Sequence, residues 1–286
     1  MTGIERVLPA GLRIRVLDAS WQVRPAGKTV PEVQEISPVE AFSRAADALY
    51  HTLRALPENA WRRPAIRDLD VQGLVGHLTG VEHDVQRALS GDQAVGQAEH
   101  VASTQAAADR QAGRSPAQTL GQWRRAVRQT MTGVTAAGDL GMIIGLHGVQ
   151  LPLYAVLVGR AFELWTHEND IRAATGLPAT VPDAPTLALM TRLATTLLPY
   201  AALGSRLGQP ARLHLVLTGP GGGTWDIEVG DGTLPEPARV SVVADAVRFC
   251  RLVANRTTPA GIDADITGDH DVATGILAAA ATLAFD

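Results

Sequence analysis

The chain has 286 residues, of which 46% are hydrophobic, 19% are charged and only 4% are aromatic. This composition allows a sizeable core built from small and aliphatic side chains, and it excludes wholesale disorder. The formal net charge of −4 gives no electrostatic reason to expect nucleic acid or an anionic membrane as a partner. Cys250 is the single cysteine, which excludes intrachain disulfides and cysteine-rich metal sites.

The first 36 residues are predicted to form an N-terminal extension. Within it, residues 12–17 alternate apolar and basic side chains, a pattern that predicts a short strand. The extension lacks a basic stretch followed by an apolar run and a small-residue cleavage site. No run of about 18 uninterrupted apolar residues is available to span a bilayer. We therefore expect a soluble, cytoplasmic protein.

Four helical segments are predicted over residues 37–180, and we expect them to form a four-helix bundle. A serine-proline pair opens the first and the third, with a capping-box pattern at the first, and a glycine followed by a proline ends the fourth. The second carries apolar side chains at helical spacing. The predicted bounds are 37 to beyond 53, 68–90, 115 to beyond 127, and 151–175, with a polar, Ala/Gln-rich connection over 91–114.

The sequence pattern changes after a linker at residues 176–184. One more helix is followed by segments that alternate apolar and polar residues, which predict strands separated by glycine-rich turns. The predicted elements are a helix at 184–203, strands at 212–217, 225–229 and 239–243, and helices near 244–255 and 271–283. The chain is therefore predicted to be an α+β protein with three parts: the extension (1–36), a four-helix bundle (37–180) and a small α+β C-terminal domain (181–286).

Glu163 and His167 lie four residues apart in the fourth predicted helix, so their side chains stand one turn apart on one face. A carboxylate and an imidazole at that spacing can bind one cation. His77 lies within the apolar stripe of the second helix, so its ring is expected to point into the bundle opposite that pair. Bundles build metal sites from facing helices in this way. Three protein ligands leave a fourth position open, which is typical of a catalytic site.

Other interpretations stay open at these positions. The Glu/His pair is also compatible with a solvated helix face, and a lone inward histidine with a hydrogen-bonded core residue. His83 lies about 240° round the helix from His77, so the two cannot share one metal without distortion. His147 is a candidate to line the cavity, and Cys250 is expected to be buried and inert. The histidines predicted to be surface or turn residues are His51, His100, His214 and His270.

Two motifs carry a resemblance to a known family. Val75-Gly76-His77-Leu78 and Glu163-x-x-x-His167-x-x-Asp170 resemble the mycothiol-dependent maleylpyruvate isomerase family, whose bundle is DinB-like. Segments 249–256 and 266–269 resemble the sterol-carrier-like domain that follows the bundle in that family. The resemblance covers about residues 38–286. It implies a divalent metal, usually zinc, held by His77, Glu163 and His167, with mycothiol at the open position.

The resemblance also implies an activity. A metal-bound thiol is deprotonated at neutral pH and stays nucleophilic, so it can add to an activated double bond, allow rotation and leave by elimination. Related members keep the carbon–sulfur bond and act as thiol S-transferases. The expected partners are a small thiol and a small electrophilic substrate. Asp170 is a candidate to support a ligand or to make a buried polar contact.

Two alternatives remain beside this interpretation. One is an enzyme of a specialised pathway whose metal acts as a Lewis acid without any thiol. The other is a ligand-binding or regulatory protein that keeps the bundle and performs no chemistry. Neither the substrate nor the oligomeric state follows from the sequence.

Overall fold

A computed structural model describes residues 34–91, 96–146, 148–205, 210–230 and 238–284. The predicted strand at residues 12–17 lies outside the described residues. Glu35–Asp286 form one compact unit. Its first half is mainly helical and its second half contains a four-stranded sheet with helices, which confirms the predicted α+β class. The proposed division near residues 177–184 stays a prediction.

The helices and strands of the described residues follow in chain order. The helices are α1 (Pro38–Ala55), α2 (Val71–Leu89), α3 (Gln97–Asp109), α4 (Pro116–Ala137), α5 (Leu153–Thr175), α6 (Ala184–Gly204), α7 (Ala246–Val253) and α8 (His270–Ala281). Two short antiparallel pairs are β1 (Pro64–Ile66) with β2 (Leu69–Asp70), and β3 (Ile143–Leu146) with β4 (Val149–Pro152). The larger sheet contains β5 (Ala211–Thr218), β6 (Gly223–Val229), β7 (Ala238–Asp245) and β8 (Asp265–Gly268).

Side chains that cap the helices explain where they begin. The Ser37 hydroxyl accepts a hydrogen bond from the Glu40 backbone N–H, as predicted, but the Glu40 carboxylate pairs with an arginine one turn later and does not complete a capping box. A full capping box forms between Ser115 and Gln118 at α4. At α2 the cap is Asp70, whose carboxylate accepts from the backbone N–H three residues on. The helix therefore begins later than the predicted residue 68.

The polar connection predicted over residues 91–114 contains a helix that was not predicted, since residues 97–109 form α3. This helix packs against α2. A β-carbon at Gly76 would lie 2.6 Å from Gln111 Cγ and 2.8 Å from the Ala107 carbonyl oxygen, and one at Gly80 would lie 3.0 Å from Thr104 Cα. The two glycines let the helices approach this closely. Since the residues that α3 buries are small or polar, apolar periodicity does not reveal it.

Helix α5 is buried over most of its length and contributes to two clusters of buried side chains. One cluster lies among α1, α2, α4 and α5, and the other joins α5 to α6, the larger sheet, α7 and α8. Leu157 and Leu164 belong to the first cluster, whereas Phe162 and Trp165 belong to the second. A helix that is apolar around most of its circumference is a core helix. Any charged residue on α5 must therefore find a partner inside the protein.

The larger sheet has the strand order β6–β5–β7–β8, with β5 and β7 parallel and the outer pairs antiparallel. The three predicted strands are confirmed, and β8 is an edge strand that was not predicted. Leu213, Leu215 and Leu217 alternate toward the buried face, where α6 and α8 pack. This alternation fits a sheet that is covered on one face.

Of the described helices, α6 alone is long and apolar enough to cross a membrane by length and composition. In the fold, Leu187, Met190 and Leu198 of α6 are buried in the cluster that includes the sheet. The Thr191 hydroxyl donates a hydrogen bond to the Gly221 carbonyl at 2.8 Å in the β5–β6 turn. Packing within the protein accounts for the apolar side chains on the buried face of this helix.

Replacing Gly76 with alanine tests the close contact between α2 and α3. The added methyl group would overlap Gln111 and the α3 backbone, so we expect a loss of about 1–3 kcal/mol in the free energy of unfolding. Gly121→Ala in α4 is the matched control, because its β-carbon meets only the Arg125 side chain at 3.5 Å. This control should stabilise the protein by up to about 1 kcal/mol. Denaturant unfolding measures both, and a stabilised Gly76→Ala variant contradicts the packing described.

Candidate metal centre

The structure brings His77 of α2 together with Glu163 and His167 of α5. One potential ligand atom from each residue lies within 4.8 Å of the other two. The His77 and His167 rings meet edge to face, with centroids 5.6 Å apart and planes at 81°. The three residues singled out in the sequence thus form one cluster on facing helices, although metal binding itself stays a prediction.

The distance between His77 and Glu163 is better explained if both residues bind one cation than if they form a direct hydrogen bond. His77 Nε2 lies 3.5 Å from Glu163 Oε1, which is long for a nitrogen–oxygen hydrogen bond. Two ligands at zinc–ligand distances of about 2.0–2.1 Å in a tetrahedral arrangement lie roughly 3.3–3.4 Å apart. The two atoms can therefore contact one cation with little movement of either helix.

His167 presents an unpartnered nitrogen to the cluster. Its Nδ1 lies 2.9 Å from Asp170 Oδ2, a bond in which the imidazole donates to the carboxylate. Its Nε2 is buried and has no hydrogen-bond partner. Buried polar atoms are rarely left in this state, so the orphaned nitrogen requires an explanation. A histidine whose outer nitrogen donates to a carboxylate and whose inner nitrogen is free has the arrangement of a metal ligand.

Asp170 is held in turn by Arg256, which follows α7 in the C-terminal part of the chain. Arg256 Nε and Nη2 donate to the two carboxylate oxygens of Asp170, each at 2.8 Å. Burial alone would raise the pKa of Asp170, but the hydrogen bonds from Arg256 and His167 lower it. Asp170 is therefore ionised at neutral pH. It accepts from the histidine ring at one oxygen and fixes the tautomer that leaves Nε2 free.

Glu163 is held by a second buried ion pair. Arg160, one turn earlier on α5, contacts Glu163 Oε2, and its Nη2 donates to Glu82 Oε1 at 2.7 Å. Glu82 Oε2 accepts from the Thr130 hydroxyl of α4, also at 2.7 Å. Arg160 and Glu82 are 2% and 0% exposed. Because Arg160 occupies one oxygen of Glu163, the other oxygen, Oε1, is the one that faces His77.

These surroundings give His77 and Glu163 the protonation states that metal binding requires. Burial lowers the pKa of His77, and Glu163 only partly opposes that effect, so the imidazole is neutral at pH 7. Burial would raise the pKa of Glu163, but Arg160 and then His77 outweigh it and lower the pKa well below its usual range. Neutral imidazole and ionised carboxylate are the forms that bind cations.

His100 was predicted to be a surface or turn residue, and this is wrong. It lies on α3 and is 8% exposed, because α3 packs closely against α2. Its Nδ1 is 2.7 Å from Asp84 Oδ2, and its ring meets the His77 ring edge to face with centroids 6.4 Å apart. Burial opposes ionisation of Asp84, but hydrogen bonds from His100 and Arg87 lower its pKa. His100 thus packs beside the cluster.

The remaining candidates lie apart from the cluster. His51, His214 and His270 are exposed, as predicted. His83 is not among the clustered residues, and His147 lies outside the described residues. Cys250 is fully buried on α7, as predicted, and burial raises the pKa of its thiol, so its inertness stays a prediction that burial supports.

Sequence reasoning missed three charged residues that support the cluster. Arg160 has a usable signal, because it precedes Glu163 by three residues and so lies on the same helical face. Glu82 and Arg256 have none that separates them from other charged residues, since their partners lie 78 and 86 residues away. Only the folded chain brings these residues to α5.

Fold and cluster together define a class of protein, in which a helical bundle with a candidate metal site is joined to an α+β unit. Residues 42–172 match the family described as the mycothiol maleylpyruvate isomerase N-terminal domain. The resemblance inferred from the sequence is thus confirmed over this segment.

Structural similarity to solved proteins extends beyond the bundle. A crystal structure of the mycothiol-dependent maleylpyruvate isomerase matches with a TM-score of 0.57 and 13% identity, over 80% of this chain and 91% of that chain. A histidine-to-alanine mutant of the isomerase matches over the same shares with the same TM-score and 12% identity. At these identities the matches establish a shared fold. A search of curated protein sequences finds no match.

Replacing Asp170 with asparagine tests its support of His167. The amide keeps the shape of the side chain but loses the charge that holds the imidazole, so metal affinity is expected to fall by about 10–100-fold. Asp226→Asn is the matched control, because Asp226 also contacts a histidine Nδ1, at 2.7 Å, on the exposed sheet face. Competition with a chromogenic chelator measures both variants. Equal affinities for Asp170→Asn and the unmodified chain would rule out this role.

Proposed function

We propose that the chain is a metal-dependent enzyme that uses a small thiol, of the mycothiol-dependent maleylpyruvate isomerase type. The observation that carries the proposal is the buried, unpartnered Nε2 of His167, which lies in a cluster with His77 and Glu163. The family match over residues 42–172 supports mycothiol as the thiol. Zinc is the expected ion, because two imidazoles and one carboxylate suit it. The expected location is the cytoplasm.

The roles of the side chains follow from their contacts. His77, Glu163 and His167 would hold the cation, which when bound supplies a Lewis-acidic position where a thiol loses its proton near neutral pH. Asp170 fixes the tautomer of His167, and Arg160 keeps Glu163 ionised with one oxygen directed to His77. The low exposure of all three candidate ligands limits competition from water.

The proposed reaction is the isomerisation of a small, activated alkene. The thiol sulfur adds to one alkene carbon while a proton adds to the other, so the double bond becomes a single bond that rotates. Loss of the same proton and the sulfur then restores the double bond in its other geometry and releases the thiol unchanged. An S-transferase would use the same addition and stop before the elimination.

The metal site is tested by metal content and stoichiometry. We expect one divalent cation per chain, and Glu163→Ala and His167→Ala should each remove most of it, because two remaining ligands seldom hold zinc at catalytic affinity. His83→Ala is the control, since His83 shares α2 with His77 but lies outside the cluster. Elemental analysis of purified protein gives the stoichiometry. Metal-free protein with full activity would overturn the proposal.

The thiol requirement is tested with cobalt in place of zinc. Mycothiol or a close analogue should produce sulfur-to-cobalt charge-transfer absorption and should be required for turnover, because the protein supplies no usable thiol. Cys250→Ser is the control, since Cys250 is buried in the cluster that includes the sheet, and it should retain nearly full turnover. Full activity in rigorously thiol-free buffer would favour the Lewis-acid alternative, whereas metal binding without any turnover would favour a ligand-binding protein.

A further inference from the structure

A chain of buried charged and polar groups extends behind the candidate metal centre. It runs from Glu163 to Arg160, then to Glu82 of α2 and the Thr130 hydroxyl of α4. Arg160 Nε and Nη2 both approach Glu82 Oε1, at 3.3 and 2.7 Å. Glu82 is fully buried and is not one of the three clustered residues. A carboxylate in this position needs a reason beyond packing, because burying a charge is costly.

The net charge of the ionised groups around the candidate metal centre provides a reason for the buried Glu82 carboxylate. Glu82, Arg160 and Glu163 together carry −1, and the Asp170–Arg256 pair carries zero. A divalent cation bound by the cluster would bring the sum to +1. One monoanionic ligand at the open position would then bring it to zero. In a buried site with low effective dielectric constant, the neutral combination is the one favoured.

Without Glu82 the net charge of the metal-loaded site would be different. Arg160 would cancel the charge of Glu163, the cation would leave +2, and a single monoanion would no longer neutralise the site. On the other side of His77, the Asp84 carboxylate is paired with Arg87 at 2.7 Å, and Arg87 also contacts Glu99, whose exposed carboxylate is screened by water. Glu82 is therefore the carboxylate that sets the net charge of the metal centre.

We propose that Glu82 sets the net charge of the metal centre and acts through Arg160. With Glu82 ionised, one monoanion at the open position, the charge class of a thiolate, makes the loaded site neutral. The inference rests on the proposed function, because it requires a divalent cation at the cluster. Glu82 does not touch the ligand; it acts through the charge that it adds and through its contact with Arg160.

Glu82→Gln tests the inference, because glutamine keeps the size and hydrogen-bonding shape of the side chain and removes one negative charge. At an effective dielectric constant of about 20, a unit charge about 10 Å away changes a binding constant by roughly tenfold. We expect the cobalt-loaded variant to bind azide, a simple monoanion, about tenfold more tightly, and its affinity for cobalt to fall by at least tenfold. Visible absorption titrations measure both constants without turnover.

Glu168→Gln is the matched control. Glu168 is also a buried carboxylate on α5 and is paired with Arg172 at 2.7 Å, but it lies on the opposite face of the helix from Glu163. We expect this control to leave both constants within about twofold of those of the unmodified chain. Unchanged azide and cobalt affinities in folded Glu82→Gln would overturn the inference, and so would an equal response in both variants.

A double variant, Arg160→Met with Glu82→Gln, tests the inference if the single variant does not fold. It removes one charge of each sign, and neutral replacements of buried ion pairs are often tolerated. At saturating cobalt its azide affinity should stay within about threefold of the native value, because the net charge of the site is unchanged. Cobalt affinity is not the readout here, since Arg160 also holds Glu163. An azide affinity raised about tenfold in the folded double variant would overturn the inference. Absence of cobalt binding in the unmodified chain would instead refute the proposed function.

Discussion

Four polar side chains occupy one stripe of a helix that is mostly surrounded by apolar groups. Arg160, Glu163, His167 and Asp170 follow each other at intervals of three or four residues along α5, and each is largely buried. A buried charge must be compensated nearby, and this constraint explains much of the architecture. Glu82 reaches the stripe from α2 and Arg256 reaches it from the C-terminal part. The bundle and the α+β part are thus connected through polar contacts as well as through shared apolar packing.

Close packing of α2 and α3 controls the other side of the cluster. Gly76 and Gly80 remove the side chains that would separate the two helices, and His100 of α3 consequently lies against His77. A second carboxylate–histidine pair, formed by Asp84 and His100, then stands beside the first, formed by Asp170 and His167. The two pairs restrict the imidazoles near the cluster, and Arg87 and Arg256 compensate the charges of their carboxylates.

The sequence was informative where a local pattern decides the structure. Glu163 and His167 were predictable because helical periodicity alone places them on one face, and His77 because an apolar stripe surrounds it. Helix α3 was not predictable in this way, since its contacts depend on small residues and on glycines of another helix. The four-residue strand β8 lies at a sheet edge, where pairing with β7 decides its conformation. Glu82 and Arg256 depend on contacts between residues far apart in the chain, which periodicity does not contain.

The contact between Asp170 and Arg256 also has a consequence for synthesis of the chain. All three candidate ligands have been made once residue 167 is added, but the arginine that holds Asp170 comes 86 residues after that aspartate. At about 5–20 residues per second, the interval lasts roughly 4–17 s. During that time the nascent chain contains all three candidate ligands, but Asp170 lacks its partner Arg256. Every truncated product that stops between these two positions shares this condition.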